Sequence, residues 1–100
     1  MLYEGFIIEQ LISLLGTPCY FWATHSGGEI DLLTIQNGRK IGFEIKYNDA
    51  PKVTKSMLLA LNDLSLEKIF IIYPGSKGYA LHERILVVPS RELWSLVVDR

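Results

Sequence analysis

Residues 29–47 read Glu29-Ile-Asp-Leu-Leu-Thr-Ile-Gln-Asn-Gly-Arg-Lys-Ile-Gly-Phe-Glu-Ile-Lys-Tyr47, and this stretch decides the fold. Two runs rich in Ile, Leu and Phe, residues 29–35 and 40–47, flank Asn37-Gly38. Asn-Gly between two such runs predicts a hairpin closed by a two-residue type I′ turn. That turn fixes the register. Gln36 faces Arg39, Ile35 faces Lys40, Leu33 faces Gly42, Asp31 faces Glu44 and Glu29 faces Lys46. Strand side chains alternate between faces, so Glu29, Asp31, Glu44 and Lys46 are expected on one face. Ile30, Leu32, Ile41, Phe43 and Ile45 are expected on the other, as a core stripe.

Directly opposed side chains stand roughly 5 Å apart at Cβ, where two carboxylates repel each other. A shared proton offsets that repulsion by raising one pKa. A divalent cation offsets it better, because hard cations take oxygen ligands. Two acids and Lys46 at one point of a sheet suit magnesium binding, water activation and stabilisation of charge on phosphorus. The plainer reading is a solvated sheet face with cross-strand ion pairs. Gly42 is expected to leave space above the sheet beside Glu44.

Around the hairpin, residues 2–15 carry Leu2, Phe6, Ile7, Leu11, Leu14 and Leu15 at helical spacing, and Gly16-Thr17-Pro18 stops that helix. Apolar residues cover most of its circumference, which predicts packing on more than one side. Residues 19–25 suit a strand, broken by Ser26-Gly27-Gly28. Thr54 is the expected N-cap of a helix over 55–64. Residues 67–73 read as a strand buried on both faces, and residues 84–88 as a short last strand before a terminal helix. A hairpin followed by a helical crossover predicts an α/β sandwich with a mixed central sheet.

The chain has 100 residues, net charge −1, 49% hydrophobic residues and a single Cys. One domain over 1–100 fits that length. The composition excludes a disordered chain, and the near-neutral charge argues against a general nucleic-acid binder held by net positive charge while leaving room for a local basic patch. Cys19 reads as a buried small hydrophobe in a reducing compartment. With no signal peptide and no apolar run near the ~20 residues of a membrane span, a soluble, cytoplasmic protein is expected.

The spacing Asp31 … Glu44-Ile45-Lys46 resembles the signature of the PD-(D/E)xK nuclease superfamily, which includes restriction endonucleases and archaeal Holliday junction resolvases. Gly5-Phe-Ile-Ile-Glu9 has the form of the first-helix motif in the resolvase-like branch. Ile30 stands where the superfamily name has Pro. Gly28-Glu-Ile-Asp-Leu-Leu33, Gly42-Phe-Glu-Ile-Lys46, Asp49-Ala-Pro51 and Tyr73-Pro-Gly75 are similar to the nuclease-like C-terminal domain of unknown function that follows a P-loop ATPase domain in many bacterial and archaeal proteins.

The resemblance implies a restriction endonuclease-like α-β-β-β-α-β core and magnesium- or manganese-dependent cleavage of DNA. Asp31, Glu44 and the carbonyl of Ile45 are the implied metal ligands, Glu9 a further ligand, and Lys46 the group beside the attacking water. An ATPase domain or protein is the implied partner, and analogy suggests a homodimer. The alternative is a nuclease-derived module that regulates or oligomerises an ATPase, or binds nucleic acid without cutting. Lys52, Lys55 and Ser56 at the start of the second helix are candidate nucleic-acid contacts, since helix N-termini bind phosphate. His25 reads as a loop residue, Tyr47 as packing, and Trp22 and Trp94 as core or interface anchors.

Overall fold

A computed structural model describes residues 3–25, 27–47 and 51–98. Leu2, Ser26 and the Asp49-Ala50 pair singled out above lie outside the described residues. The elements run α1 (Tyr3–Leu15), β1 (Cys19–Ala23), β2 (Glu29–Gln36), β3 (Arg39–Ile45), α2 (Lys55–Asp63), β4 (Lys68–Tyr73), β5 (Tyr79–His82) and β6 (Ile85–Pro89). A 3-10 turn, Ser90–Glu92, and a short helix α3, Ser95–Val98, follow. Six strands form one mixed sheet in the order β1-β2-β3-β4-β6-β5. The β3–β4 and β4–β6 pairs are parallel, and the other pairs antiparallel.

The hairpin takes the register its turn dictates. Gln36 pairs with Arg39, Ile35 with Lys40, Leu33 with Gly42 and Leu32 with Phe43. Asn37 and Gly38 both have positive φ, 53° and 78°, as a type I′ turn requires. The expected helix–strand order holds, with one addition. Tyr79–His82, which lies between the two expected strands, forms β5 at the sheet edge against β6.

Two layers cover the sheet. On one face α1 buries Ile7, Leu11 and Leu15 against Leu32, Phe43, Ile45 and Ile72. On the other, α2 buries Met57, Ala60 and Leu61 against Ile30, Ile69, Ile71, Ile85 and Val87. β4 contributes to both clusters, as expected of a strand buried on both faces. Thr54 caps α2, its side chain accepting from the N–H of Met57 at 3.1 Å.

Three expectations change. Ile30 belongs to the α2 layer, while Leu32, two residues on, belongs to the α1 layer. The cause is a β-bulge. Tyr20 pairs with Leu33 and Trp22 with Ile30, so β2 advances three residues while β1 advances two. Gly42 does not leave open space. A Cβ there would stand 3.1 Å from Leu66 and 3.5 Å from Ile30, so the glycine admits these core side chains close to the backbone. Tyr47, expected to pack, is 71% exposed beyond the end of β3 at Ile45, and Trp94, expected as a core or interface anchor, is 59% exposed and lies outside the core. Trp22 is half-buried against the α2 layer, in line with its expected packing.

Candidate functional site

The bulge sits at the point where the two carboxylates meet. Regular pairing of β2 with β3 runs from Gln36–Arg39 to Leu32–Phe43. Beyond it, side chains take over the bonding. The Asp31 N–H donates to Glu44 Oε1 at 3.0 Å, and the Ile45 N–H donates to Asp31 Oδ2 at 2.8 Å. Each acid accepts from the backbone of the strand opposite, so the pair replaces a rung of the ladder. An unpaired backbone N–H at a half-buried position is costly, and a carboxylate satisfies it well.

Glu44 is 7% exposed, and its other oxygen, Oε2, stands 3.9 Å from Lys46 Nζ. Burial and the charge of Asp31 push the Glu44 carboxyl up to about 7, against the opposing pull of the Asp31 N–H and Lys46. Burial likewise raises Asp31, against the pull of the Ile45 N–H and Lys46. Glu29 adds negative potential at both carboxyls. The expected convergence of Asp31, Glu44 and Lys46 is therefore present.

The expected facing pair of Glu29 and Lys46 is replaced by other bonds. Glu29 bonds to α2 through its backbone: its N–H donates to Ser56 Oγ at 2.8 Å, and the Ser56 hydroxyl donates to the Glu29 carbonyl at 3.1 Å. The Lys46 N–H donates to Ile72 of β4. Ser56, singled out for phosphate contact, thus ties the first turn of α2 to the start of β2. Lys52 and Lys55 are exposed beside it.

Glu9 is exposed on α1, the helix of the opposite layer. Among the described residues no group of three His, Cys, Asp or Glu side chains is placed to hold a metal ion. The carboxylates that converge are Asp31 and Glu44, and Glu9 does not join them. Ile45 lies beside them, with its N–H engaged by Asp31. His25 is exposed. The bulge left one trace in the sequence: the Leu32-Leu33 doublet breaks the apolar alternation that Ile30 and Leu32 begin.

Fold and site together define a small mixed α/β domain with an acidic pair at a break between two central strands. The chain belongs to a family described as a domain of unknown function (DUF4143), whose pattern matches residues 1–93. Two uncharacterized proteins, Rv2008c of Mycobacterium tuberculosis and Mb2031c of Mycobacterium bovis, are each 40% identical to it over 92 residues. The match takes in 91% of this chain and 21% of each relative, so the chain spans about a fifth of their length. Among solved structures, protein VC1899 from Vibrio cholerae aligns with 96% of this chain and 30% of its own, at 14% identity and a TM-score of 0.46.

Proposed function

We propose that the domain is a magnesium-dependent phosphodiesterase acting on DNA, with its chemistry at Asp31, Glu44 and Lys46. The observation that carries this reading is a carboxyl pair at a strand break, Glu44 buried and Asp31 half-buried, with both groups raised and a lysine 3.9 Å from Glu44. Two apposed acids destabilise the fold when both ionise, and a hard divalent cation relieves them. The donor set fits such an ion. One oxygen of each acid is held by the backbone, and the second oxygen of Glu44 faces Lys46 at 3.9 Å, the contact a bound cation would share or displace. Magnesium commonly takes one or two carboxylates and completes its shell with water and substrate phosphate. Manganese suits the same oxygens.

In this reading Asp31 and Glu44 hold the metal, and the Ile45 carbonyl is the third ligand that the resemblance implies. When bound, the ion activates water and offsets charge on the phosphate. The Lys46 ammonium orients the nucleophile and stabilises charge that develops on phosphorus. Exposed Lys52 and Lys55 meet the phosphate backbone and set the register of the nucleic acid. The finer fold is the restriction endonuclease-like one, in a cytoplasmic, soluble setting. An ATPase domain or protein is the partner, with a homodimer as the assembly.

A second reading is a nuclease-derived module that regulates an ATPase or binds nucleic acid without cleavage. It is favoured by the absence of a third metal-binding side chain among the described residues.

Thermal melting in magnesium or manganese, combined with a cleavage assay on supercoiled and branched DNA, separates the two. The first reading expects the metal to stabilise by RT ln(1 + [L]/Kd), about 2.7 kcal/mol at a hundredfold excess over Kd. It also expects Asp31→Asn to abolish both that shift and cleavage. A metal-dependent shift without cleavage of any DNA selects the second reading. Neither shift nor cleavage overturns the metal site.

A further inference from the structure

The two edges of the sheet differ. β5, at one edge, is four residues long, its pairing slips between Ala80 and His82, and Glu83 and Arg84 follow it. Shortness, irregularity and charge are the devices that keep strand edges from pairing with other chains. β1, at the opposite edge, carries no charge. It reads Cys19-Tyr-Phe-Trp-Ala23, and Tyr20 and Phe21 are 53% and 67% exposed.

The pairing with β2 decides which backbone groups of β1 face outward. Just past its end, the Thr24 N–H donates to the Gly28 carbonyl at 2.8 Å. Backbone groups alternate in direction along an antiparallel strand, so those of Trp22 and Tyr20 also point to β2. The slip between Tyr20 and Trp22 adds its extra residue to β2 and leaves β1 regular. The N–H and C=O groups of Cys19, Phe21 and Ala23 therefore point away from β2. No turn, loop or cap bond engages them among the described residues. These three positions are symmetric about Phe21. A strand of the same sequence running the other way offers a carbonyl to each outward N–H, with Phe21 opposite Phe21 and Cys19 opposite Ala23.

We propose that β1 pairs antiparallel with β1 of a second copy of the chain, on a two-fold axis at Phe21, so that two sheets become one. Trp22 packs on the α2 side of the sheet, and the pairing sets it opposite Tyr20 of the other copy. Such cross-strand aromatic pairs favour strand association. With no charge on β1, nothing repels the second copy. A two-fold contact uses the same edge of both molecules and closes on itself, and the blunted β5 edge does not extend it. The homodimer belongs to the reading above, but this interface rests on the strand edge alone.

The test is sedimentation equilibrium of the full chain in the high micromolar range, without metal or DNA, so the interface and the metal site can fail separately. A dimer is expected. Phe21→Lys sets like charges opposite each other on the axis and is expected to raise the dimer dissociation constant more than about tenfold. Phe21→Pro removes the central outward donor, a change that an edge strand accommodates, and is also expected to give a monomer that melts cooperatively. Ala23→Cys supplies a thiol opposite Cys19 of the other copy. Hydrogen-bonded partners stand roughly 5.5 Å apart at Cα, within disulfide reach, so oxidation is expected to lock this variant as a dimer. The parent, with Cys19 alone, is expected to stay uncrosslinked. Three results overturn the proposal: a monomeric parent, a dimer that both Phe21 variants retain, or an Ala23→Cys variant that crosslinks no better than the parent.

Discussion

Glu44 holds three relationships at once: to the Asp31 N–H, to the Asp31 carboxyl and to Lys46. Its folded pKa of about 7 lies above the ordinary 4.5, so the folded state binds this proton more tightly than the unfolded chain does. The associated stability is fully present below pH 4.5 and is lost as pH rises to about 7. Raising pH from 5 to 8 is expected to cost up to about 3 kcal/mol, measured by urea unfolding. Glu44→Gln keeps an acceptor for the Asp31 N–H and removes the charge. This variant is expected to lose most of that slope and to be more stable than the parent at pH 8. At this scale the sequence was informative because a two-residue turn leaves no freedom in register, and that brought Asp31 and Glu44 opposite one another. Glu9 was beyond its reach. A helical motif gives the face of a helix, but not the layer of the fold to which that face is applied.

α2 is anchored at its start in two ways, by the Thr54 cap on Met57 and by the Ser56 bonds to Glu29. Thr54→Ala is expected to cost about 1 kcal/mol, read as a lower urea midpoint with an unchanged slope. Ser56→Ala leaves the cap intact and releases β2 from α2. It is expected to weaken any magnesium-induced rise in melting temperature more than it lowers the metal-free melting temperature. In the turn, Gly38 at φ 78° gives Gly38→Ala an expected cost of about 1 kcal/mol in the same unfolding experiment. Most elements were legible because each combines a strong period with a breaker. β5 was not. Tyr79–His82 is four residues long, follows Gly78 and takes its shape from pairing along β6, a non-local partner that local pattern does not reveal.

The whole molecule is one sheet between two unequal layers. A crossover helix between β3 and β4 made the parallel pairing at the centre readable in advance. The distribution of large side chains was less so, because apolar character does not say whether another element covers a residue. Trp94 and Phe43 mark the extremes, at 59% and 1% exposed. Trp94→Ser is expected to change stability by less than about 0.5 kcal/mol. Phe43→Ala is expected to cost roughly 3–5 kcal/mol, measured by the same denaturation.

The bulge at Asp31 also bears on how mutations along β2 are tolerated. A regular strand repeats its tolerance every second position. Here Ile30 and Leu33 serve one layer and Leu32 the other, so the repeat slips by one step within a single strand. A substitution scan of positions 29–36 is expected to show two short alternating patterns out of phase, with the seam at Asp31-Leu32. Removing one residue at that seam would bring the patterns into phase. It would also carry the carboxylate of Asp31 away from the one position where it completes the bonding of β3.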